Sequence, residues 1–167
     1  MVKRLWAPWR MKYVSGPKEQ DCVFCRVLAE DKDAANYVLL RGRRAAVMLN
    51  LYPYTNGHLL VVPYQHTGDL TALNASSAAE MMMLARAGLI WLRHSMKPHG
   101  FNVGLNLGQA AGAGIEEHVH IHVVPRWEND TNFMPVLGGV RVIPQSLDDT
   151  YAMLLKACRE IEGDDQR

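Results

Sequence analysis

The stretch His118-Val119-His120-Ile121-His122-Val123-Val124 decides how this 167-residue chain is interpreted. Histidines and β-branched residues alternate along it, which is typical of a half-buried strand. Successive side chains of a strand point to opposite faces, so the three imidazoles share one face, about 6 to 7 Å apart. One histidine on a strand is usually a hydrogen-bonded spectator. Three at period two indicate either a catalytic row or a site for zinc or copper.

Length and charge narrow the classes of function. The 167 residues predict a single domain, 1–167, with one core. Eighteen Lys and Arg against 17 Asp and Glu give a net charge of +1, which argues against a nucleic acid polymer as partner. No apolar run has the length of a membrane span, no signal-peptide core follows Met1, and three cysteines make no disulfide framework. We therefore expect a cytoplasmic protein that has no membrane partner.

The hydrophobic pattern predicts an α+β fold built on an antiparallel meander. The predicted strands are Tyr37–Leu40, Ala45–Asn50, His58–Pro63, Phe101–Leu107, His118–Val124 and Val140–Ile143. One long helix is predicted to begin at Ser76 or Ser77, with Glu80 in its first turn, and to end before Pro98. A C-terminal helix is predicted from Ser146 to about Ile161. Residues 1–21 are interpreted as an N-terminal arm and residues 163–167 as a frayed tail.

The histidine row and its surroundings resemble the histidine triad (HIT) family of nucleotide hydrolases and transferases. The residues that carry the resemblance occur in the family's order: Asn50, Gly57–Pro63, His66, Asn106–Gly108 and His118–Val124. More narrowly, Trp6–Met11, Gly100–Gly108, His122–Trp127 and Val142–Gln145 are similar to a bacterial branch described as diadenosine tetraphosphate phosphorylases or hydrolases. The resemblance implies a five-stranded antiparallel sheet with helices on one side, and a homodimer with one continuous sheet.

The chemistry expected of the row follows from imidazole itself. If a backbone carbonyl holds Nδ1–H, the Nε2 lone pair is free to act as a nucleophile. His120, in the middle of the row, is the candidate, and in the family this histidine attacks the α-phosphorus and forms a nucleotidyl-histidine. His122 could donate to a phosphoryl oxygen or the leaving group, and His58 could support it from the neighbouring strand. His118, the first residue of the row, completes the candidate catalytic set.

Glycines and amides near the row are candidates for substrate binding. The segment from Gly108 through Gly112 to Gly114 precedes the reactive strand, where backbone N–H groups could approach phosphate oxygens; a flexible loop is the alternative. Many relatives have Gly-Gln-Ser or Gly-Gln-Thr where this chain has Gly114-Ile115-Glu116-Glu117, so the resemblance does not predict a hydroxyl contact to phosphate here. By resemblance, Asn50 holds ribose hydroxyls and Asn106 lies near the scissile phosphate. Either residue could instead be a turn-capping amide.

Cys22-Val23-Phe24-Cys25 is a second motif, ambiguous between metal binding and redox chemistry. Zinc-bearing HIT proteins and their galactose-1-phosphate uridylyltransferase relatives add two histidines, at positions that match His66 and His118 here. Four such ligands would close the coordination sphere and make the zinc structural. Two inert thiols are the alternative.

Two classes of function follow from these patterns. The first is an enzyme that cleaves dinucleoside polyphosphates of the diadenosine tetraphosphate type, or a related hydrolase of nucleoside phosphoramidates or other nucleoside monophosphate esters. The second is a non-catalytic module that binds nucleotide or metal. A complete row together with His58 favours the enzyme. Hydrolysis and phosphorolysis share the first step, so the sequence leaves both open.

Overall fold

A computed structural model of the chain describes residues 22–130 and 143–164. The helices and strands within those residues are α1 (Val23–Ala29), β1 (Val38–Arg41), β2 (Ala45–Leu49), β3 (Leu59–Pro63), α2 (Ala75–Met96), β4 (Gly100–Leu105), β5 (Ile121–Arg126) and α3 (Leu147–Asp164). The predicted arm at residues 1–21, the tail residues 165–167 and all but Ile143 of the predicted strand 140–143 lie outside the described residues.

The strands form one antiparallel sheet in the order β1-β2-β3-β5-β4. The α+β prediction of a five-stranded antiparallel sheet with one long helix and a C-terminal helix is confirmed. β1 and β4 are the edge strands, and the three central residues of β4 are exposed. No described helix has both the length and the apolar character needed to cross a lipid bilayer.

The two faces of the sheet pack against different helices. On β3, Leu59 and Val61 lie in the main core with residues of α2 and α3. The alternate residues Leu60 and Val62 face a smaller core that includes Phe24 of α1. Because both faces are covered, β2 and β3 are buried along their whole length and are apolar throughout.

Helix α1 differs from the prediction that helices cover one side. It packs on the face opposite α2 and α3. Seven residues are too few for a readable apolar period, and Cys22 precedes the helix without a side-chain capping hydrogen bond. The guanidinium of Arg41 donates to the carbonyls of Leu28 and Glu30 and so satisfies the C-terminal end of α1.

Two predicted boundaries shift for identifiable reasons. Helix α2 begins at Ala75 rather than after Ser76 or Ser77, because the Asn74 side chain accepts a hydrogen bond from the Ser77 N–H and acts as the N-cap. Helix α3 runs through Asp164 and therefore includes two residues that were assigned to the frayed tail.

The histidine row is only partly in a regular strand. β5 begins at Ile121, so His118 and His120 precede it and the predicted start at His118 is wrong. The row is nevertheless held in place beside the end of β3, because the Val119 N–H donates to the carbonyl of Thr67, four residues after that strand. Val119, Ile121 and Val123 all lie in the main core. The predicted division into an apolar face and a histidine face therefore holds.

Candidate active site and metal centre

The three histidines of the row point to the same side of the sheet as α1. The rings of His120 and His122 are 4.8 Å apart between centroids. The ring of His118 lies 5.3 Å from that of His66, at the other end of the row. The row therefore divides into one end that faces His66 and another that continues toward His58, whose ring is 5.1 Å from His122.

A backbone carbonyl fixes the tautomer of His120. Its Nδ1 lies 2.8 Å from the carbonyl oxygen of His118, and because a carbonyl only accepts, Nδ1 carries the proton and donates. Burial lowers the pKa of His120, so the ring is neutral near pH 7. The unprotonated nitrogen is therefore Nε2, as a nucleophilic role requires.

A directed chain of hydrogen bonds links His58 to His122. The backbone N–H of Tyr54 and the Asn50 amide nitrogen both lie against Nδ1 of His58, at 3.1 and 3.2 Å, and both are donors. Nε2 of His58 must then hold the proton and donates to Nδ1 of His122 over 2.9 Å. It follows that Nε2 of His122 carries a proton and is a donor.

The environment keeps His122 uncharged. Burial lowers the pKa of His122 to about 4, with a smaller contribution from the charge of His120. Gly104 lies opposite His122 in the register of β4 and β5. Apart from Gly104 and its two neighbours in the chain, no described residue has an atom within 4 Å of the place that a Cβ on Gly104 would occupy. His122 is therefore neutral near pH 7, with open space beside it on β4.

The two candidate amides occupy different places. Asn106 reaches His122, with its amide nitrogen 3.4 Å from Nε2. The Asn106 nitrogen and the protonated Nε2 of His122 are both donors. If the amide is flipped, its oxygen accepts a hydrogen bond from Nε2–H of His122. The Asn50 oxygen accepts the Tyr52 N–H while its nitrogen donates to His58. This supports the turn-capping alternative for Asn50, and its contact with ribose stays a prediction.

The glycine segment before the row forms an exposed turn. Gly108 and Gly112 have φ of 78° and 82° and flank a 3₁₀ turn at Gln109–Ala111, which explains why these two positions are glycine. The N–H groups of Ala111 and Gly112 donate within the turn, so they do not point outward. Gly114 has no such backbone requirement. Phosphate binding by Gly108, Gly112 and Gly114 stays a prediction.

Four candidate metal ligands converge beside His118. The cluster consists of Cys22 and Cys25 with His66 and His118, and its four ligand atoms all lie within 4.8 Å of one another. Individual sulfur-to-nitrogen distances are 3.3 Å (Cys22 to His118), 3.2 Å (Cys25 to His66) and 3.7 Å (Cys25 to His118). Bond lengths to tetrahedral zinc would separate sulfur and nitrogen by about 3.6 Å. The residues therefore fit zinc in both chemistry and spacing.

His118 is oriented as a metal ligand would be. Its Nε2 lies 2.8 Å from the Pro63 carbonyl and must donate to it, which leaves the Nδ1 lone pair facing the cysteine sulfurs. Burial lowers the pKa of His118 and keeps this nitrogen unprotonated. Because both ring nitrogens are engaged, the geometry favours the metal role of His118 over direct contact with a substrate.

Two aromatic residues at the site were not identified from the sequence. Phe24, inside the Cys-x-x-Cys motif, places its ring 5.4 Å from His118 and 5.0 Å from His120. Tyr54, in the turn before β3, lies over His58 and His122. Phe24 could have been found as an apolar residue between two candidate ligands. A turn tyrosine carries no comparable signal.

Solved structures of other proteins share this architecture. A zinc-bound histidine triad family protein from Mycobacterium smegmatis is 29% identical, with a TM-score of 0.71 over 86% of this chain and 97% of its own. A hypothetical histidine triad nucleotide-binding protein from Sulfolobus tokodaii is 25% identical, with a TM-score of 0.68 over 87% and 95%. A uridylyltransferase structure at 15% identity shares the fold, with a TM-score of 0.68.

Sequence comparison agrees with the geometry of the row. Residues 31–129 match the HIT domain family. The AP-4-A phosphorylase of Mycobacterium tuberculosis is 42% identical over 161 residues, covering 92% of this chain and 83% of the relative. A HIT-like protein from Mycoplasma genitalium is 29% identical over 80% of the chain and 91% of its own length. With its row of three histidines, the adjacent His58 and its fold, the chain belongs to the HIT family and is one of its nucleotide hydrolases or transferases.

Proposed function

We propose that this enzyme cleaves dinucleoside polyphosphates of the diadenosine tetraphosphate type through a nucleotidyl-histidine intermediate on His120. The observation that carries the proposal is the 2.8 Å hydrogen bond from Nδ1 of His120 to the His118 carbonyl, which leaves Nε2 unprotonated. The substrate class is supported by the 42% identity to a protein named AP-4-A phosphorylase. A module that only bound nucleotide would have no need of this tautomer.

The first step forms a bond between Nε2 of His120 and the α-phosphorus. The bond from that phosphorus to the bridging oxygen breaks, and the departing nucleotide takes the electron pair. The Nε2–H of His122 can donate to the oxygen on which charge develops, while His58 holds His122 in the donating tautomer. Asn106 lies beside the same nitrogen and can contact the phosphate once a substrate enters.

The second step releases the nucleotide from His120 and decides the class of reaction. Attack by inorganic phosphate on the nucleotidyl-histidine gives a nucleoside diphosphate, whereas attack by water gives a monophosphate. In either case the bond to Nε2 breaks and the imidazole returns to its starting form. The name of the relative supports phosphate as the acceptor.

Phosphorus NMR of diadenosine tetraphosphate, with and without inorganic phosphate, tests the proposal. We expect ADP and ATP when phosphate is present, and AMP with ATP if water is the acceptor. His120→Ala should abolish turnover and leave nucleotide binding intact. His94→Ala, an exposed histidine of α2 beside Glu160, is the control and should retain activity. Unchanged turnover in His120→Ala would rule out the nucleophile, and a wild type that binds but never cleaves would rule out the enzyme.

We also infer that the cluster of Cys22, Cys25, His66 and His118 holds one structural zinc ion. The support is the convergence of four ligand atoms and the fold similarity to a protein described as zinc-bound. Zinc there would supply cross-linking of α1 to the sheet and no open coordination position. The chain's own residues carry out the proposed chemistry at the other end of the row.

A homodimer and a cytoplasmic location complete the proposal. The exposed edge strand β4 offers backbone groups for pairing with a second copy. All three cysteines lie in the described part of the chain, and no disulfide links them there, which suits a reducing compartment.

A further inference from the structure

Tyr54 contacts the reactive histidines and has no part in the chemistry proposed above. Its ring is nearly parallel to that of His122, at an angle of 19° and a centroid distance of 5.7 Å. The same ring is 4.7 Å from His58. Tyr54 is 43% exposed, so it covers the two histidines from the solvent side.

The backbone of Tyr54 acts on the same pair of histidines. Its N–H donates to Nδ1 of His58 over 3.1 Å, and this contact forces the proton of His58 onto Nε2. The donor character of His122 depends on that tautomer, because Nε2–H of His58 donates to Nδ1 of His122. The backbone N–H of Tyr54 therefore fixes the tautomer of His58, and the Tyr54 ring packs against both His58 and His122.

The turn that carries Tyr54 is anchored to the rest of the fold. The Thr55 hydroxyl donates to the Pro125 carbonyl of β5 over 2.8 Å. The Asn56 amide donates to the Gln145 side chain over 2.7 Å, just before α3. Because Thr55 and Asn56 are anchored in this way, the Tyr54 ring is held in one position over His58 and His122.

We propose that Tyr54 is a positioning residue for the hydrogen bond that His122 donates to the leaving group. Its ring restricts rotation of the His122 imidazole, so that Nδ1 stays on His58 and Nε2–H stays directed at the leaving group. It also excludes water from the hydrogen bond between the two histidines, which strengthens that bond. The inference rests on the proposed function of His122 and identifies what holds that residue in place.

The described residues that contact His122 include Tyr54 itself and two further rings. These are His58, just before β3, and His120, in the same segment as His122. Asn106, after β4, contributes an uncharged amide. A change in the titration of His122 after substitution of Tyr54 can therefore be assigned to solvent access and to these two rings.

Tyr54→Leu and Tyr54→Phe test the proposal. Leucine removes the ring and phenylalanine keeps it, and neither changes the backbone N–H. We expect Tyr54→Leu to lower kcat about tenfold, which is less than the loss of a whole transition-state hydrogen-bond donor, with KM changed less than twofold. Tyr54→Phe should stay within twofold of wild type in both constants. Tyr64→Leu, at an exposed tyrosine after β3, is the control for loss of a surface ring.

A second readout is independent of turnover. In an NMR titration, the His122 ring should show a midpoint near 4 in wild type and a higher one in Tyr54→Leu, because admitted water reduces the burial that lowers this pKa. If kcat falls but the His122 midpoint does not move, the ring contacts substrate and the positioning role is overturned. Equal losses in Tyr54→Phe would assign the effect to the hydroxyl and also overturn it. A wild type without turnover would refute the proposed function, while the titration would still decide whether Tyr54 controls His122.

Discussion

At the scale of single residues, His118 links two sites through different atoms. Its Nδ1 faces the cysteine sulfurs, while its backbone carbonyl accepts the proton of His120. The two functions do not compete, because one belongs to the side chain and the other to the main chain. A substitution at His118 that kept the backbone in place would remove one of the four proposed zinc ligands and leave the carbonyl that fixes the tautomer of His120.

The low pKa of His122 predicts a loss of stability in acid. Its pKa falls from 6.5 to about 4 on folding, so between those values the unfolded chain binds more protons and stability decreases as pH is lowered. After allowance for solvent screening of a partly buried ring, about 1 kcal/mol of unfolding free energy should be lost at pH 5. Urea unfolding at pH 7 and pH 5 measures this loss.

The comparison that isolates this effect is with His122→Gln, which cannot titrate in that range. The variant should lose less stability than wild type between pH 7 and pH 5, by about 1 kcal/mol. His94→Gln, at a residue more than half exposed, should lose as much as wild type. An equal loss in wild type and in His122→Gln would contradict the assignment.

The sequence predicted the residues of the site better than their contacts. Alternation of histidine with β-branched residues was enough to place three imidazoles on one face. The resemblance identified His66 as a partner of Cys25, which lies 41 positions earlier in the sequence. Neither could predict that Tyr54 covers His122, because the conformation of a turn depends on anchors such as Gln145 that are remote in sequence.

At the scale of elements, boundaries were predicted less well than the elements themselves. β5 starts three residues later than predicted, because alternation describes which side chains are buried and does not report ladder hydrogen bonds. The sequence pattern did not predict α1, because its seven residues make less than two turns and show no apolar period. No side chain caps its N-terminus either. The order β3-β5-β4 depends on pairing across long separations, which local pattern does not contain.

The docking of α1 should depend on the cysteine and histidine cluster. A seven-residue helix is not stable alone. The residues that pack α1 against the sheet include Phe24 and the cysteines on either side of it, Cys22 and Cys25. We expect purified protein to contain about one zinc per chain, and Cys22→Ala to lose it and to unfold at a lower temperature. Metal analysis by mass spectrometry and thermal unfolding measure these two quantities.

Cys158→Ala is the matched control for this experiment. Cys158 is buried in α3, where its thiol lies against the Leu39 carbonyl and burial raises its pKa to about 11, so it is not a ligand of the cluster. This variant should keep its zinc. Protein prepared without chelator and free of bound metal would refute the zinc assignment.

At the scale of the whole molecule, the edge strand β4 predicts how two copies associate. Val103 is 43% exposed at the centre of this strand. We expect wild type to sediment at twice the 18.8 kDa of one chain, and Val103→Glu to shift toward the single-chain mass because a charge would be buried at the junction. Met83→Glu, on the exposed side of α2, should not change the mass. A wild type of 18.8 kDa would contradict the homodimer, and a Val103→Glu dimer would place the contact elsewhere.

The two faces of the sheet also separate the main core from the candidate site. Residues that pack with α2 and α3 form the main core, whereas the histidine row and the cluster of cysteines and histidines lie on the α1 side. Along β3 the assignment alternates with each residue, so the neighbouring residues Val61 and Val62 pack in different cores. Substitutions on the α1 side alone should therefore be able to change substrate preference. The larger core would stay unchanged, and its stability would offset the destabilisation that such substitutions cause.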